Sequence, residues 1–200
     1  MNNGDNKISI VNSTANEREA DLSPSGNEVV FISDKDGNDE LYKINLTTKK
    51  VTRLSNTTLD EAFPKWSPSG SSIVFVSIVD GGRTQLYTMD ADGENLKELT
   101  KFTLEGFDRD PIWCPDESCI IFTRWTLGKL IRLDLITGEF SFLLDGTDFS
   151  NKKQGFPNLS PLGGFITFFI LEDDESYAID IKTNEIMPLG VNATNLMLYP

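Results

Sequence analysis

Phe63-Pro64-Lys65-Trp66-Ser67-Pro68-Ser69-Gly70, followed after Ser71 by Ser72-Ile73-Val74-Phe75-Val76-Ser77, is the stretch on which the reading of this chain turns. Ser-Pro-Ser-Gly is turn chemistry, because Pro presets φ for a turn and Gly supplies the positive φ that closes it. The run behind it is β-branched and aromatic and too short for a helix, so it reads as a strand. The same arrangement returns three times, at Leu22-Ser23-Pro24-Ser25-Gly26, Trp113-Cys114-Pro115-Asp116-Glu117 and Leu159-Ser160-Pro161-Leu162-Gly163. Four residues before Pro24, Pro68, Pro115 and Pro161 stand Ala20, Pro64, Pro111 and Pro157, and seven residues after them stand Phe31, Phe75, Phe122 and Phe168. The prolines recur at intervals of 44, 47 and 46 residues. That period fits a propeller blade and is too long for most helical repeats.

Each unit carries more strand signals of the same kind. After the Phe-bearing run comes an alternating segment: Leu41-Tyr42-Lys43-Ile44, Leu86-Tyr87-Thr88-Met89, Leu130-Ile131-Arg132-Leu133 or Tyr177-Ala178-Ile179-Asp180. Turn residues such as Asp36-Gly37-Asn38 and Asp80-Gly81-Gly82 separate the two, as a hairpin requires. A further turn leads to an outer strand, Val51-Thr52-Arg53-Leu54 in the first unit and Phe140-Ser141-Phe142-Leu143 in the third. With the Pro-flanked first strand this makes four antiparallel strands per unit. The expectation is an all-β protein, a β-propeller with four complete four-stranded blades at about 17–55, 61–100, 108–144 and 154–190.

These residues resemble a known family. Phe63 to Gly70, then Ile73-Val74-Phe75-Val76-Ser77 and Leu86-Tyr87-Thr88-Met89-Asp90-Ala91-Asp92-Gly93, look like the TolB-type β-propeller repeat, a WD-repeat-like propeller. The resemblance covers roughly residues 17 to 200. The second unit matches closely, the first carries Ala20 and Leu22 for Pro and Trp, the third ends its turn in Asp116-Glu117, and the fourth diverges most. The family resemblance implies a six-bladed ring that recognises a protein or peptide partner on one face, in the periplasm or outside the cell. It also admits another reading, a gating propeller of a larger serine peptidase or other hydrolase whose catalytic domain lies elsewhere.

The repeat phase bears on the ends of the chain. Ile8-Ser9-Ile10-Val11 is placed like the outer strand of a preceding blade, and Leu198-Tyr199-Pro200 matches Ala62-Phe63-Pro64, so 191–200 reads as the start of a fifth blade. The expectation is a partial propeller with open blade faces, the alternatives being closure through a second copy or a complete four-bladed ring.

Composition removes several functions. The chain has no His among its 200 residues, so it can build neither a Ser-His-Asp or Cys-His arrangement nor a His-ligated metal centre. It also lacks the Gly-x-Ser-x-Gly elbow of hydrolases. No catalytic residue, cofactor site or metal site is therefore expected. A propeller lyase of polysaccharides, whose repeats look similar, binds metal through His and is disfavoured on the same ground. The net charge of −13 disfavours nucleic acid as a partner, and no apolar run is long enough to span a membrane. The polar N-terminus, Met1 to Lys7, has no signal-peptide character.

Three residues before each leading Pro (or Ala20) stand Glu17, Glu61, Asp108 and Gln154. They read either as caps at the start of the inner strand or as an acidic ring at the mouth of the central channel. Asp34 to Glu40 looks superficially like a calcium loop but lacks its spacing, and Asp36-Gly37 reads as a hairpin turn. Cys114 and Cys119 bracket a turn. They read as small residues in the places of Ser67 and Ser72, with a cross-hairpin disulfide as the alternative.

Overall fold

The computed structural model describes residues 10–11, 13–101, 106–144, 146–147, 149–160 and 162–192. Among the described residues, sixteen strands form four separate four-stranded antiparallel sheets, each taken from consecutive strands in chain order. Blade 1 is β1 (Glu17–Leu22), β2 (Glu28–Ser33), β3 (Glu40–Asn45) and β4 (Val51–Arg53). Blade 2 is β5 (Asp60–Trp66), β6 (Ser72–Ile78), β7 (Thr84–Asp90) and β8 (Lys97–Glu98). Blade 3 is β9 (Asp108–Trp113), β10 (Cys119–Arg124), β11 (Lys129–Asp134) and β12 (Phe140–Phe142). Blade 4 is β13 (Gln154–Leu159), β14 (Phe165–Ile170), β15 (Glu175–Asp180) and β16 (Ile186–Asn192). A 3-10 turn, Asp80–Gly82, interrupts the β6–β7 hairpin.

The repeated turn does the same work in every blade. Gly26, Gly70 and Gly163 each donate their backbone N–H to the carbonyl three residues back, and each holds a positive φ. Blade 3 has Glu117 there, at φ 59°, a conformation that costs a side-chain-bearing residue on the order of 1 kcal/mol. Its carboxylate is used in return, accepting the Ser69 N–H of blade 2 at 2.5 Å. Pro24, Pro68 and Pro115 lie in these turns as expected; Pro161 lies outside the described residues.

Strand alternation explains how blades stack. Phe75 packs in one cluster with Val30 and Ile32 of blade 1, Phe122 with Val74 and Val76 of blade 2, and Phe168 with Ile112 and Ile121 of blade 3. In blades 2 to 4 the repeated Phe therefore points toward the preceding blade, and the strand residues at odd spacing from it point toward the next, as a period of two requires. Phe75, Phe122 and Phe168 are buried between blades. Val74, Ile120 and Phe122 are fully buried, the signature of a strand covered on both faces.

Three sequence expectations need correction. Cys114 and Cys119 are joined as a disulfide, with Cα atoms 5.2 Å apart; they sit where Ser67 and Ser72 face each other across the blade 2 turn, and that placement brings the thiols together. Phe31 is not left on an open face: it is 3% exposed, clustered with Tyr42 and Ile44 and flanked by Val11 and Leu46. Ile10 and Val11 are not in a strand, and Val11 packs on that cluster instead. Ile8, Ser9 and the Leu198-Tyr199-Pro200 segment lie outside the described residues.

Candidate functional site: the channel between the inner strands

The first strands of the four blades neighbour one another in order, β1 beside β5, β5 beside β9, and β9 beside β13. Each carries a β-bulge at the same place. Arg18 pairs with Ile32 and Asp21 with Val30, three steps on one strand against two on the other. The same shift falls between Ala62 and Lys65, between Arg109 and Ile112, and between Gly155 and Asn158. The residue before Ala20, Pro64, Pro111 or Pro157 takes the left-handed conformation every time: Glu19 at φ 53°, Phe63 at 53°, Asp110 at 53° and Phe156 at 54°. A bulge is one of the few places a sheet accepts Pro, because the extra residue donates nothing to the ladder. The Pro of the repeat and the bulge are one feature.

Those bulged residues face a common space of about 740 Å³, walled by Phe63, Pro64, Pro111, Ile112, Phe156 and Pro157, with Glu19, Lys65 and Asp110 as its charged groups. A second cavity of about 640 Å³ shares Lys65, Ile112 and Asn158 with it and opens at the Pro24, Pro68 and Pro115 turns, beside Trp66 and Trp113. The inner strands are stitched across blades. Asp21 accepts the Trp66 N–H and the Lys65 ammonium, each at 2.9 Å, and the Trp113 indole donates to the Lys65 carbonyl at 3.2 Å. Burial pushes the Asp110 carboxyl up, with Arg109 and Lys65 opposing and Glu19 adding to the shift.

The residues predicted as a ring lie at the start of these strands, and none lines either cavity. Glu61, Asp108 and Gln154 are each 1% exposed. Asp108 takes both Arg124 Nε at 2.7 Å and Nη2 at 2.9 Å. Gln154 Oε1 accepts the Leu130 N–H, and its Nε2 donates to the Phe149 carbonyl, so it ties blade 3 to blade 4. Glu61 accepts the Thr57 hydroxyl at 2.8 Å and lies beside Ser55, opposite Glu40. Glu17 is half-buried and accepts from the Ser13 and Ser33 hydroxyls. The bulged positions were missed in the sequence, although Pro inside an apparent inner strand was their signal. Among the described residues, no group of three or more His, Cys, Asp or Glu is arranged to hold a metal ion. No described helix is long and apolar enough to cross a membrane.

Stacked four-stranded blades around a channel of bulged inner strands define a β-propeller. The chain belongs to the TolB beta propeller domain family, whose sequence model matches residues 3–195. It is similar in structure to TolB from Acinetobacter baumannii, at 21% identity and a TM-score of 0.72 over 90% of this chain and 45% of that one. It is also similar to a putative TolB from Agrobacterium tumefaciens, at 16% identity and 0.71 over 92% of this chain and 65% of the other. A nidogen/laminin complex shows the same fold at 14% identity and 0.67, with 89% and 65% of the two chains covered. The chain thus spans between about half and two thirds of the length of these structures. No curated protein sequence matches it.

Proposed function

We propose that this propeller is a non-catalytic binding module that recognises a protein or peptide partner through the channel between its inner strands. The observation that carries the reading is the apolar channel wall, built from the same bulged position in four blades. The bulges present Phe63 and Phe156 beside the carboxylates of Glu19 and Asp110. A concave, largely apolar space with a few convergent polar groups is how binding sites are built. The absence of His from the whole sequence removes the Ser-His-Asp and Cys-His constellations and His-ligated metal centres. A periplasmic or extracellular setting fits the family and the disulfide.

The test is selection of random heptapeptides from a display library on the immobilised 200-residue chain, followed by fluorescence polarisation with the enriched peptides. A consensus should emerge, and Phe156→Glu should weaken its binding by about tenfold or more. Failure to enrich any peptide, or equal affinity for the Phe156→Glu variant, rejects the reading.

A further inference from the structure

Resting on that binding reading, we infer that Arg109 is the residue that selects the partner, by receiving a carboxylate at the edge of the channel. Arg109 immediately precedes the bulged Asp110. Its guanidinium carbon lies 5.0 Å from the Phe63 ring centroid and 5.3 Å from that of Trp125. Trp125 in turn meets Phe156 edge-on at 6.1 Å. The planar cation is thus held between two rings before any ligand arrives, which limits the rotamer entropy that binding must otherwise remove.

Its hydrogen-bonding capacity is unspent. Among the described residues the Arg109 side chain makes no hydrogen bond, and its one ion pair is Nε to Asp110 Oδ2 at 3.4 Å. The side chain keeps 36% of its surface exposed. Arg has five N–H donors in a fork that matches a carboxylate in two-point fashion. Asp110 is a weak internal competitor, since burial works against its charge.

Comparison with blade 1 sharpens the point. Arg18 occupies the same place as Arg109, since Arg18 pairs with Ile32 and Arg109 with Thr123 just before the bulge. Arg18 is bonded to Asp39, the residue before β3. The residue before β11 is Gly128, which has no side chain to offer. Arg18 is hydrogen-bonded within its own blade, whereas Arg109 has only the longer 3.4 Å contact to Asp110 and keeps its hydrogen bonds for a ligand. The half-exposed rings of Trp125 and Phe156 beside it suit an apolar side chain next to the carboxylate. The ligand class is therefore a peptide carboxylate, from an Asp or Glu side chain or from a C-terminus, adjoining an apolar residue.

The test uses the full chain in two arms. Heptapeptides are selected from one library displayed with free C-termini and one displayed internally, and 3-phenylpropionate is titrated while the Arg109 Nε–H resonance is followed. Acidic residues should be enriched in the internal library, or terminal carboxylates in the other, which separates the two sources. Selected peptides should bind Arg109→Ala at least about tenfold more weakly, with partial recovery in Arg109→Lys. Phenylpropionate should shift the Nε–H signal saturably. Enriched peptides without a carboxylate preference, bound equally by Arg109→Ala, would overturn the inference and leave the binding module standing. No enriched peptide together with a saturable phenylpropionate shift rejects the peptide reading and keeps Arg109 as a carboxylate receptor. No enrichment and no shift reject both.

Discussion

Glu61, on the first strand of blade 2, meets Glu40, on the third strand of blade 1, where both are buried and the Ser55 hydroxyl lies against each. The two carboxyls are not equivalent. Glu40 receives the Arg53 guanidinium at 2.7 Å, the Thr57 N–H at 2.9 Å and the Asn38 amide at 3.2 Å. Glu61 is met by the Thr57 and Ser55 hydroxyls and by Glu40 itself, with no cation or N–H bonded to its carboxyl among the described residues. Burial alone would raise Glu40, but its bonds from Ser55, Arg53 and Thr57 outweigh that and hold it below the ordinary value. Glu61 is pushed up to about 8, first by burial and then by the charge of Glu40. The surroundings therefore favour the charge on Glu40 and the proton on Glu61.

That arrangement makes the blade 1–blade 2 interface sensitive to pH. A carboxyl whose folded pKa lies above its ordinary value of 4.5 contributes fully below that value. Its contribution is lost as pH rises toward 8, because in that window the unfolded chain releases the proton and the folded one keeps it. Glu61→Gln mimics the protonated acid and removes the dependence. Thermal melts at pH 5.5 and 8.5 should show a smaller drop for Glu61→Gln than for the unsubstituted chain. The gap should correspond to at least about 1 kcal/mol. Parallel melting curves would show that Glu61 does not hold the proton.

In blade 3 the same strand position is solved with charge instead. Asp108 is fully buried against Arg124, whose guanidinium also lies over the rings of Phe122 and Phe140 at 5.5 and 5.7 Å. Removing one partner of a buried pair leaves the other uncompensated at a cost of about 3–5 kcal/mol. Asp108→Ala should therefore lower the melting temperature by roughly 10 °C in a domain of this size. Asp108→Leu combined with Arg124→Met should be markedly milder, since it leaves no orphaned charge. A double substitution as damaging as the single one would mean that the side-chain volume, rather than the ion pair, holds this corner.

The blades were legible because their signal is periodic. The step from Pro68 to Phe75, repeated in each unit, fixes turn, strand and facing residue at once, and the four sheets follow it. What was not legible depends on neighbours distant in the chain. The raised pKa of Glu61 depends on Glu40 from the preceding blade, and that Arg109 makes no side-chain hydrogen bond among the described residues goes with Gly128 lying where blade 1 has Asp39. Cys114 and Cys119 could be placed across a hairpin from spacing, but spacing alone cannot say that two thiols have joined. The cover over Phe31 was invisible because Val11 reaches it outside the repeat pattern.

The last expectation concerns the outer face of blade 4. On β14, Ile166, Phe168 and Ile170 turn toward blade 3, so alternation puts Phe165, Thr167 and Phe169 on the opposite side. No described blade covers that side. Phe165 is 36% exposed, whereas the opposite end of the row of blades, the Phe31 side of blade 1, has Val11 packed on Phe31, Tyr42 and Ile44. Burying a Phe or Leu side chain contributes about 1.5–3 kcal/mol, so a few such residues brought together can hold two molecules at micromolar concentration. Left open in the 200-residue chain, the face should make that chain self-associate. Sedimentation of the 200-residue chain should show a species that grows with concentration and binds a hydrophobic dye. Phe165→Asp should return it to a monomer, while Leu96→Asp, which alters an exposed Leu on the rim of blade 2, should leave association unchanged. A chain that sediments as a monomer at all concentrations would show that this face needs no second copy.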